Sequence, residues 1–132
     1  MVLDLAQHRK DGFVALKDIA ERQGISKKYL EQIVSILNKS GILRTTRGYQ
    51  GGYMLAKSPD KLTVGDILRI TEGSLAPVAC LDDEINVCSR AENCVTLDVW
   101  RGLYKVVAEY LDSITLQDII DKSGCAAIEY YI

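Results

Sequence analysis

Three of the four cysteines in the chain, Cys80, Cys88 and Cys94, lie within fifteen consecutive residues. Gaps of seven and five mostly polar or acidic residues separate them. Thiolates are soft ligands that suit iron–sulfur clusters, zinc or cuprous copper. Because structural zinc sites usually contain a tighter Cys-x2–4-Cys pair, this looser spacing favours a cluster held by a loop. The alternatives are a zinc site, a thiol redox switch, or cysteines that carry no metal.

The composition is that of an ordinary globular domain. The chain has 132 residues, of which 48% are apolar and 26% are charged, enough for one domain with a modest core. No apolar run approaches the roughly 20 residues that cross a bilayer, and no signal peptide is visible. The sequence therefore predicts a cytoplasmic protein without membrane contact, whose reduced thiols bind metal or sense redox state rather than form structural disulfides.

Enzyme chemistry has little support in the sequence. His8 is the single histidine, and at the polar end of the first helix it is interpreted as an exposed structural residue. The chain has no phosphate-binding glycine loop, no paired catalytic carboxylates and no Cys-x-x-Cys motif. We therefore predict that the protein is not an enzyme and has no small-molecule substrate.

Basic residues are concentrated in one part of an acidic chain. Residues 16–52 contain seven basic and three acidic residues, a local net charge of +4, whereas the whole chain has a net charge of −2. Such a segment can be an electrostatic footprint for phosphate, although a solvated helix surface would have the same composition. The basic residues are Lys17, Arg22, Lys27, Lys28, Lys39, Arg44 and Arg47.

The same segment has the pattern of a helix-turn-helix. A short helix over residues 17–23 ends at Gly24, and Ser26 is suited to cap a second helix over 27–39. The second helix has apolar residues at i, i+3, i+4 and i+7, as an amphipathic helix does. Glutamine can read adenine, and a glutamate is tolerated beside DNA where it accepts from a cytosine amino group. The DNA contacts predicted on this helix are Ser26, Lys27, Lys28, Tyr29, Glu31 and Gln32.

A glycine-rich β-hairpin is predicted directly after this helix. Residues 42–47 alternate as a strand does, 48–52 form a turn, and 53–55 return as a second strand. Arg47 at the base of the tip can enter a narrow minor groove, where the negative potential is deepest, and glycines allow close backbone approach. The hairpin is a wing, with Arg47, Gly48, Gln50 and Gly51 as DNA contacts. Double-stranded DNA is therefore the predicted partner.

The C-terminal half is predicted to pair two chains. A helix over 95–112 has a broad apolar stripe, which indicates a homodimer, or else packing within one chain. Capping boxes at Thr63 and Thr115 open helices over 64–71 and 116–122. The fold class is mainly α with a small β-hairpin: a winged helix-turn-helix head (1–75), a cysteine loop (76–94), a dimerisation helix with a short C-terminal helix (95–122) and a tail (123–132). The stripe consists of Val95, Val99, Trp100, Leu103, Val106, Val107, Tyr110 and Leu111.

Four stretches together resemble the Rrf2 type of bacterial transcription regulators, and within it the iron–sulfur cluster regulators known as IscR. They are residues 19–32, 47–53, 63–66 and 112–116. The resemblance, which extends over residues 1–122, implies a homodimer whose second helices enter the major groove and whose wings enter the minor groove. It also implies further residues before the first helix, so we expect a truncated start. The implied DNA contacts are Ser26, Tyr29, Glu31, Gln32 and Arg47.

The resemblance implies that the three clustered cysteines ligate an iron–sulfur cluster, most often 2Fe–2S and otherwise 4Fe–4S. That family has a histidine ligand three residues after the last cysteine, where this sequence has Leu97. Nitric-oxide-sensing relatives use a carboxylate from the first helix instead. The replacement ligands to consider are Asp98, Asp4, His8, Cys125 and an exogenous thiol or water.

The implied function is control of iron–sulfur cluster assembly genes according to cluster status, or to oxidative or nitrosative stress. The glutamate at the position of Glu31 helps such regulators to discriminate between operator classes. The alternatives are a cluster-free regulator that depends on thiols or zinc, for example of cysteine metabolism, and a nitric-oxide-sensing relative.

Overall fold

The structure, a computed structural model, describes residues 1–82 and 91–131, without the side chains of residue 91 and residues 125–131. Within this part the chain is mainly helical with one antiparallel hairpin, as predicted. None of its helices is long and apolar enough to span a bilayer. The elements are α1 (Val2–Gln7), α2 (Leu16–Gln23), α3 (Lys27–Lys39), β1 (Leu43–Thr46), β2 (Gly52–Leu55), α4 (Val64–Glu72), α5 (Leu97–Asp112) and α6 (Leu116–Tyr131).

Helices α2 and α3 form the predicted helix-turn-helix. Gly24 closes α2 with φ of 63° and ψ of 32°, a left-handed conformation that favours glycine. The Ser26 hydroxyl accepts a hydrogen bond from the Tyr29 backbone N–H at 3.2 Å, which satisfies a donor that the first turn of α3 leaves free. The inward face of α3 carries Leu30 and Leu37, both 0% exposed.

The hairpin is anchored to the chain that precedes α2. Strands β1 and β2 pair in register from Leu43 opposite Leu55 to Thr46 opposite Gly52. Val14 joins them through a single bridge to Tyr53, with N–O distances of 2.9 and 2.8 Å. The segment before α2 therefore contributes a single residue to this pairing.

One apolar core joins the helix-turn-helix, the hairpin, α1 and the start of α6. Leu116 at the start of α6 belongs to it, whereas no residue of α5 does. The six residues with the largest fully buried side chains are Leu5, Ile19, Leu30, Leu37, Leu55 and Leu62.

The start of α4 is joined to the α5–α6 connection. Thr63 and Asp66 form the predicted capping box, and the Val64 N–H donates to the Ile114 carbonyl at 2.9 Å. At the end of α5, the carboxylate of Asp112 accepts two hydrogen bonds from the Arg69 guanidinium, at 2.6 and 2.9 Å. A bidentate pair of this kind fixes orientation as well as distance. The C-terminal end of α5 is therefore held on the head.

Several element boundaries differ from the sequence prediction by one or two residues. Helix α5, for example, begins at Leu97 rather than at residue 95. The first helix, α1, ends at Gln7 and is followed by a 3-10 turn over Arg9–Asp11. The predicted stop at Ser123-Gly124 is wrong, because α6 continues to Tyr131. A glycine inside a helix costs only about 1 kcal/mol relative to alanine, and three of the residues after Gly124, namely Ala126, Ala127 and Glu129, are strong helix formers.

Candidate nucleic-acid interface and cysteine site

The residues of α3 that are predicted to contact DNA lie on two sides of this helix. Lys27 and Glu31 border a cleft against the wing, whereas Tyr29 and Gln32 line a groove against the end of α4. Tyr29 is 56% exposed, and Lys28 is also on the surface. The Ser26 hydroxyl already serves as the cap of α3. The predicted side chains on α3 are thus all accessible, but they do not form one continuous row.

The wing tip is a tight turn with defined central residues. The Gly51 N–H donates to the Gly48 carbonyl at 2.9 Å, which places Tyr49 and Gln50 at the two central positions. Gly48 has φ of 107°, and a Cβ on Gly51 would lie 2.7 Å from the Thr46 carbonyl oxygen. Tyr49 is fully exposed. It was not among the predicted contacts, although an aromatic residue inside a glycine-rich turn was visible in the sequence.

The cleft between α3 and the wing has a volume of about 420 Å³. Lys27 and Arg47 line it as the predicted contacts on α3 and the wing, together with Glu31. Lys17, in the first turn of α2, is a third basic residue on this cleft. Sequence reasoning counted Lys17 in the basic segment but did not assign it a contact, because no local pattern relates α2 to the wing.

Two of the three clustered cysteines lie in the described part of the chain. Cys80 is in a 3-10 turn over Ala79–Leu81, and Cys94 follows another over Ala91–Asn93, three residues before α5. Both are reduced and partly exposed. A hydrogen bond from the Thr96 hydroxyl, followed by nearby backbone N–H groups, lowers the pKa of the Cys94 thiol. Cys88 lies outside the described residues.

The donor types fit a soft metal or a cluster. Cys80 and Cys94 carry free thiols on either side of residues 83–90, which lie outside the described part of the chain, and thiolates are the usual ligands of iron–sulfur clusters. Among residues 1–82 and 91–131, no group of three or more histidine, cysteine, aspartate or glutamate side chains could hold a metal ion. Because Cys88 is outside these ranges, the three-cysteine ligand set stays a prediction.

The structure narrows the choice of a fourth ligand. Leu97 is 5% exposed at the start of α5, so an inert side chain fills the position where the resemblance implies histidine. The Asp4 carboxylate is buried and accepts hydrogen bonds from Arg22 at 2.6 and 3.0 Å and from Gln23 at 2.9 Å. These bonds, chiefly the one from Arg22, lower the pKa of Asp4 and engage both of its oxygens.

Two other candidate ligands, His8 and Asp98, have exposed side-chain surface. The ring Nδ1–H of His8 donates to the Asp4 carbonyl oxygen at 2.8 Å, which holds the ring against its own helix. The side chain of Asp98 is 97% exposed, with Arg101 at 3.9 Å. Asp98, four residues after Cys94, is therefore an exposed carboxylate close to the cysteines in sequence.

One face of α5 packs against the rest of the chain, and the other face, called the open face below, is exposed to solvent. Leu97 is buried, and Tyr104, Val107 and Leu111 are half-buried. On the open face the apolar residues follow spacings of four, three and four. They are Val99, Leu103, Val106 and Tyr110, which are 64%, 43%, 64% and 64% exposed.

Comparison with known proteins places the chain in a family. Residues 1–122 match the family described as "Rrf2: Iron-dependent Transcriptional regulator". Protein rrf2 of Nitratidesulfovibrio vulgaris is 41% identical over 126 residues, which cover 95% of this chain and 83% of that protein. The HTH-type transcriptional regulator IscR of Erwinia tasmaniensis is 39% identical over 120 residues, covering 91% of this chain and 72% of that protein.

Solved structures of such regulators have the same fold. T. potens IscR aligns with a TM-score of 0.70 at 42% identity, covering 92% of this chain and 79% of that one. CymR (YrzC), the global cysteine regulator of B. subtilis, aligns with a TM-score of 0.73 at 36% identity, covering 92% and 88%. These relatives are transcription regulators and not enzymes, as the sequence predicted. The chain belongs to the Rrf2 family of transcription regulators.

Proposed function

We propose that the protein is a homodimeric DNA-binding regulator whose affinity for its operators depends on an iron–sulfur cluster, and that it controls cluster assembly genes. The observation that carries this proposal is the position of Cys94, three residues before α5. The open face of α5 begins at Val99, so the end of the cysteine loop adjoins the surface on which we place the dimer contact. A ligand bound there can act on the arrangement of two heads.

DNA contact is assigned to the exposed side of the head. Helix α3 enters the major groove with its first turns, and Arg47 follows the wing into the adjacent minor groove. Gln32 is an adenine reader and Glu31 a cytosine reader. The backbone and edge contacts are Ser26, Lys27, Lys28, Tyr29, Gly48, Gln50 and Gly51.

The homodimer is assigned to the open face of α5. The spacing of Val99, Leu103, Val106 and Tyr110 is that of a helix seam packed against a second helix. Exposed apolar patches of this kind mark interaction sites on otherwise well-packed proteins. A second copy of the chain supplies a matching face by symmetry, and a two-fold dimer suits an operator with two half-sites.

The cluster would be held by Cys80, Cys88 and Cys94, with Asp98, Cys125 or an exogenous ligand at the fourth position. When bound it supplies a redox- and nitric-oxide-sensitive centre of the 2Fe–2S or 4Fe–4S type. The chain itself would determine how the bound cluster is connected to the head. The three thiolates tie the loop together beside the start of α5, and the Arg69–Asp112 pair holds the other end of α5 on the head. Cluster binding can therefore change operator affinity, by a coupling of about 1–3 kcal/mol.

The test compares cluster-loaded and cluster-free protein. After anaerobic reconstitution, iron, sulfide and visible absorption measure loading, and anisotropy titrations with operators selected from a random duplex library measure affinity. We expect about five- to hundredfold differences for at least one operator class. Equal affinity of the two forms for every operator would exclude cluster sensing while leaving DNA binding intact.

The second candidate is a thiol- or zinc-dependent regulator of cysteine metabolism. It is favoured by the similarity to CymR, the global cysteine regulator, and by Leu97 at the position where the resemblance implies a histidine ligand. Anaerobically purified protein separates the two candidates. Colour with iron and sulfide supports the cluster regulator, whereas zinc alone, or no metal, supports the second candidate.

A further inference from the structure

Three elements bring basic side chains to the cleft between α3 and the wing. Lys17 comes from α2, Lys27 from α3 and Arg47 from the residue that follows β1. Within the described chain none of the three has a carboxylate within 4.0 Å. Glu31 is the one acidic residue on the cleft, so its lining carries a net charge of +2. The cleft is therefore an unneutralised positive site.

The fold holds Lys17 beside the wing by a close backbone contact. Gly52 lies against the carbonyl of Val14, and a Cβ at this glycine would collide with that oxygen. The contact allows the paired hydrogen bonds between Val14 and Tyr53. Lys17 follows Val14 by three residues, so the start of α2 is fixed at the base of the wing.

The position of the cleft matches the course of a DNA strand. If α3 occupies a major groove and the wing the adjacent minor groove, the sugar-phosphate backbone that separates the two grooves must pass between them. That space is the cleft. We propose that it binds a backbone phosphate of the DNA duplex, with Lys17 as a contact in addition to Lys27 and Arg47. This inference rests on the proposed mode of DNA binding.

The chemistry of the lining suits a phosphate. A lysine ammonium is a compact charge with three donors, and an arginine can bind phosphate oxygens through two N–H groups. Helix α2 begins at the cleft with Ala15 as its N-cap and without a side-chain cap, so the first N–H groups add positive potential there. A phosphate contact carries no base information. Lys17 therefore adds affinity for every sequence and fixes the position of the backbone between α3 and the wing.

The test is the salt dependence of DNA binding by the full chain. Anisotropy titrations would use a mixed-sequence duplex and an operator selected by the wild-type protein, at several KCl concentrations. Lys17→Ala should weaken binding to both duplexes, on the order of fivefold near 0.1 M salt. The association constant of this variant should also fall less steeply with salt: the magnitude of the slope of log K against log salt should decrease by about one per bound protomer. Lys17→Arg should retain affinity and slope. The matched control Lys122→Ala removes the same charge from the exposed surface of α6 and should leave the slope unchanged.

The outcomes separate this inference from the proposed function. If Arg47→Ala weakens binding while Lys17→Ala keeps the wild-type affinity and slope, the phosphate site is overturned and the DNA-binding mode stands. The phosphate site is likewise overturned if Lys17→Ala and Lys122→Ala behave alike, or if Lys17→Ala affects the operator but not the mixed duplex. If the wild-type protein binds neither duplex, both proposals fail.

Discussion

The head and helix α5 place their apolar side chains in opposite ways. In the head, Ile19, Leu30 and Leu37 are each 0% exposed and belong to one core. On α5, Val99 and Val106 are each 64% exposed, although α5 is an amphipathic helix like α2 and α3. The head completes its core within one chain, whereas α5 leaves an apolar face exposed. If that face pairs two chains as proposed, substitutions in the head should cause unfolding and substitutions on α5 should cause dissociation.

The two ends of α5 also differ. Its C-terminal end is held on the head by the Arg69–Asp112 pair and by the backbone bond from Val64 to Ile114. Its N-terminal end follows Cys94 and the cysteine loop. In the proposed regulator, α5 therefore connects the cysteine segment to the DNA-binding head and can transmit a change between them.

The largest effect is expected from the core of the head. Leu30→Ala removes a fully buried side chain from α3, and such truncations cost about 2–5 kcal/mol. Urea unfolding measures the change in the free energy of unfolding. The control is Ile36→Ala on the same helix, where the side chain is 44% exposed; we expect less than about 1 kcal/mol. Similar costs for the two variants would mean that the head does not depend on a closed core.

The next effect concerns the open face of α5. Val106→Glu should place a carboxylate in the helix seam of each chain, and burial of an unpaired charge should raise the dimer dissociation constant by about a hundredfold or more. Light scattering after size exclusion measures the mass. Lys105→Glu introduces the same side chain at the next residue, off the seam, and should remain dimeric. If Val106→Glu also stays dimeric, or if the wild-type protein is a monomer, the comparison between the two regions fails.

A smaller effect is expected at the DNA contacts, which leave both the core and the seam untouched. Arg47→Ala should weaken operator binding by roughly tenfold or more, because it removes a charge from the minor groove. Glu31→Ala should mainly relax sequence choice, by about 1–3 kcal/mol at one base pair. Anisotropy titrations with operator variants measure both. An equal loss with Glu31→Ala for all sequences would show that this residue does not discriminate bases.

The smallest effect compares an ion pair of the head with one of α5. Asp4 is buried and pairs with the partly exposed Arg22, whereas Lys105 and Glu109 of α5 are 4.0 Å apart and largely exposed. Asp4→Asn should cost about 1–2 kcal/mol at pH 7, and Glu109→Gln less than about 0.5 kcal/mol. Thermal unfolding of each variant and the wild type provides the measurement.

The pH dependence gives a second readout for Asp4. Because the hydrogen bonds from Arg22 lower the pKa of Asp4 in the folded chain, its carboxylate stabilises the fold fully above the pKa of an unfolded aspartate, about 3.9. That contribution is lost as pH falls through the lower folded pKa. The stability difference between wild type and Asp4→Asn should therefore shrink below about pH 4. A difference that is constant from pH 7 to pH 3 would mean that the charge of Asp4 is not what stabilises the head.

Local signals predicted most of the elements. Ser26, Gly24 and the two capping boxes act on backbone groups no more than four residues away, and amphipathic spacing is equally local. For this reason the bounds of α3 were predicted to the residue. The stop at Gly124 failed because a local helix breaker was outweighed by the residues that follow it.

By itself, the sequence determined the helix-turn-helix, the wing, the capped helices and the clustered thiols. Only the tertiary structure decided the pairing of Asp4 with Arg22, 18 residues apart, and of Arg69 with Asp112, 43 residues apart. It also decided the approach of Val14 to Gly52, which brings Lys17 to the wing. The physical reason is that these contacts depend on how helices and strands pack against one another. No local sequence pattern specifies the distance between residues on two different elements. At the clustered cysteines both kinds of information are needed. The spacing of the cysteines is visible in the sequence, whereas the burial of Leu97, close to Cys94, depends on tertiary packing.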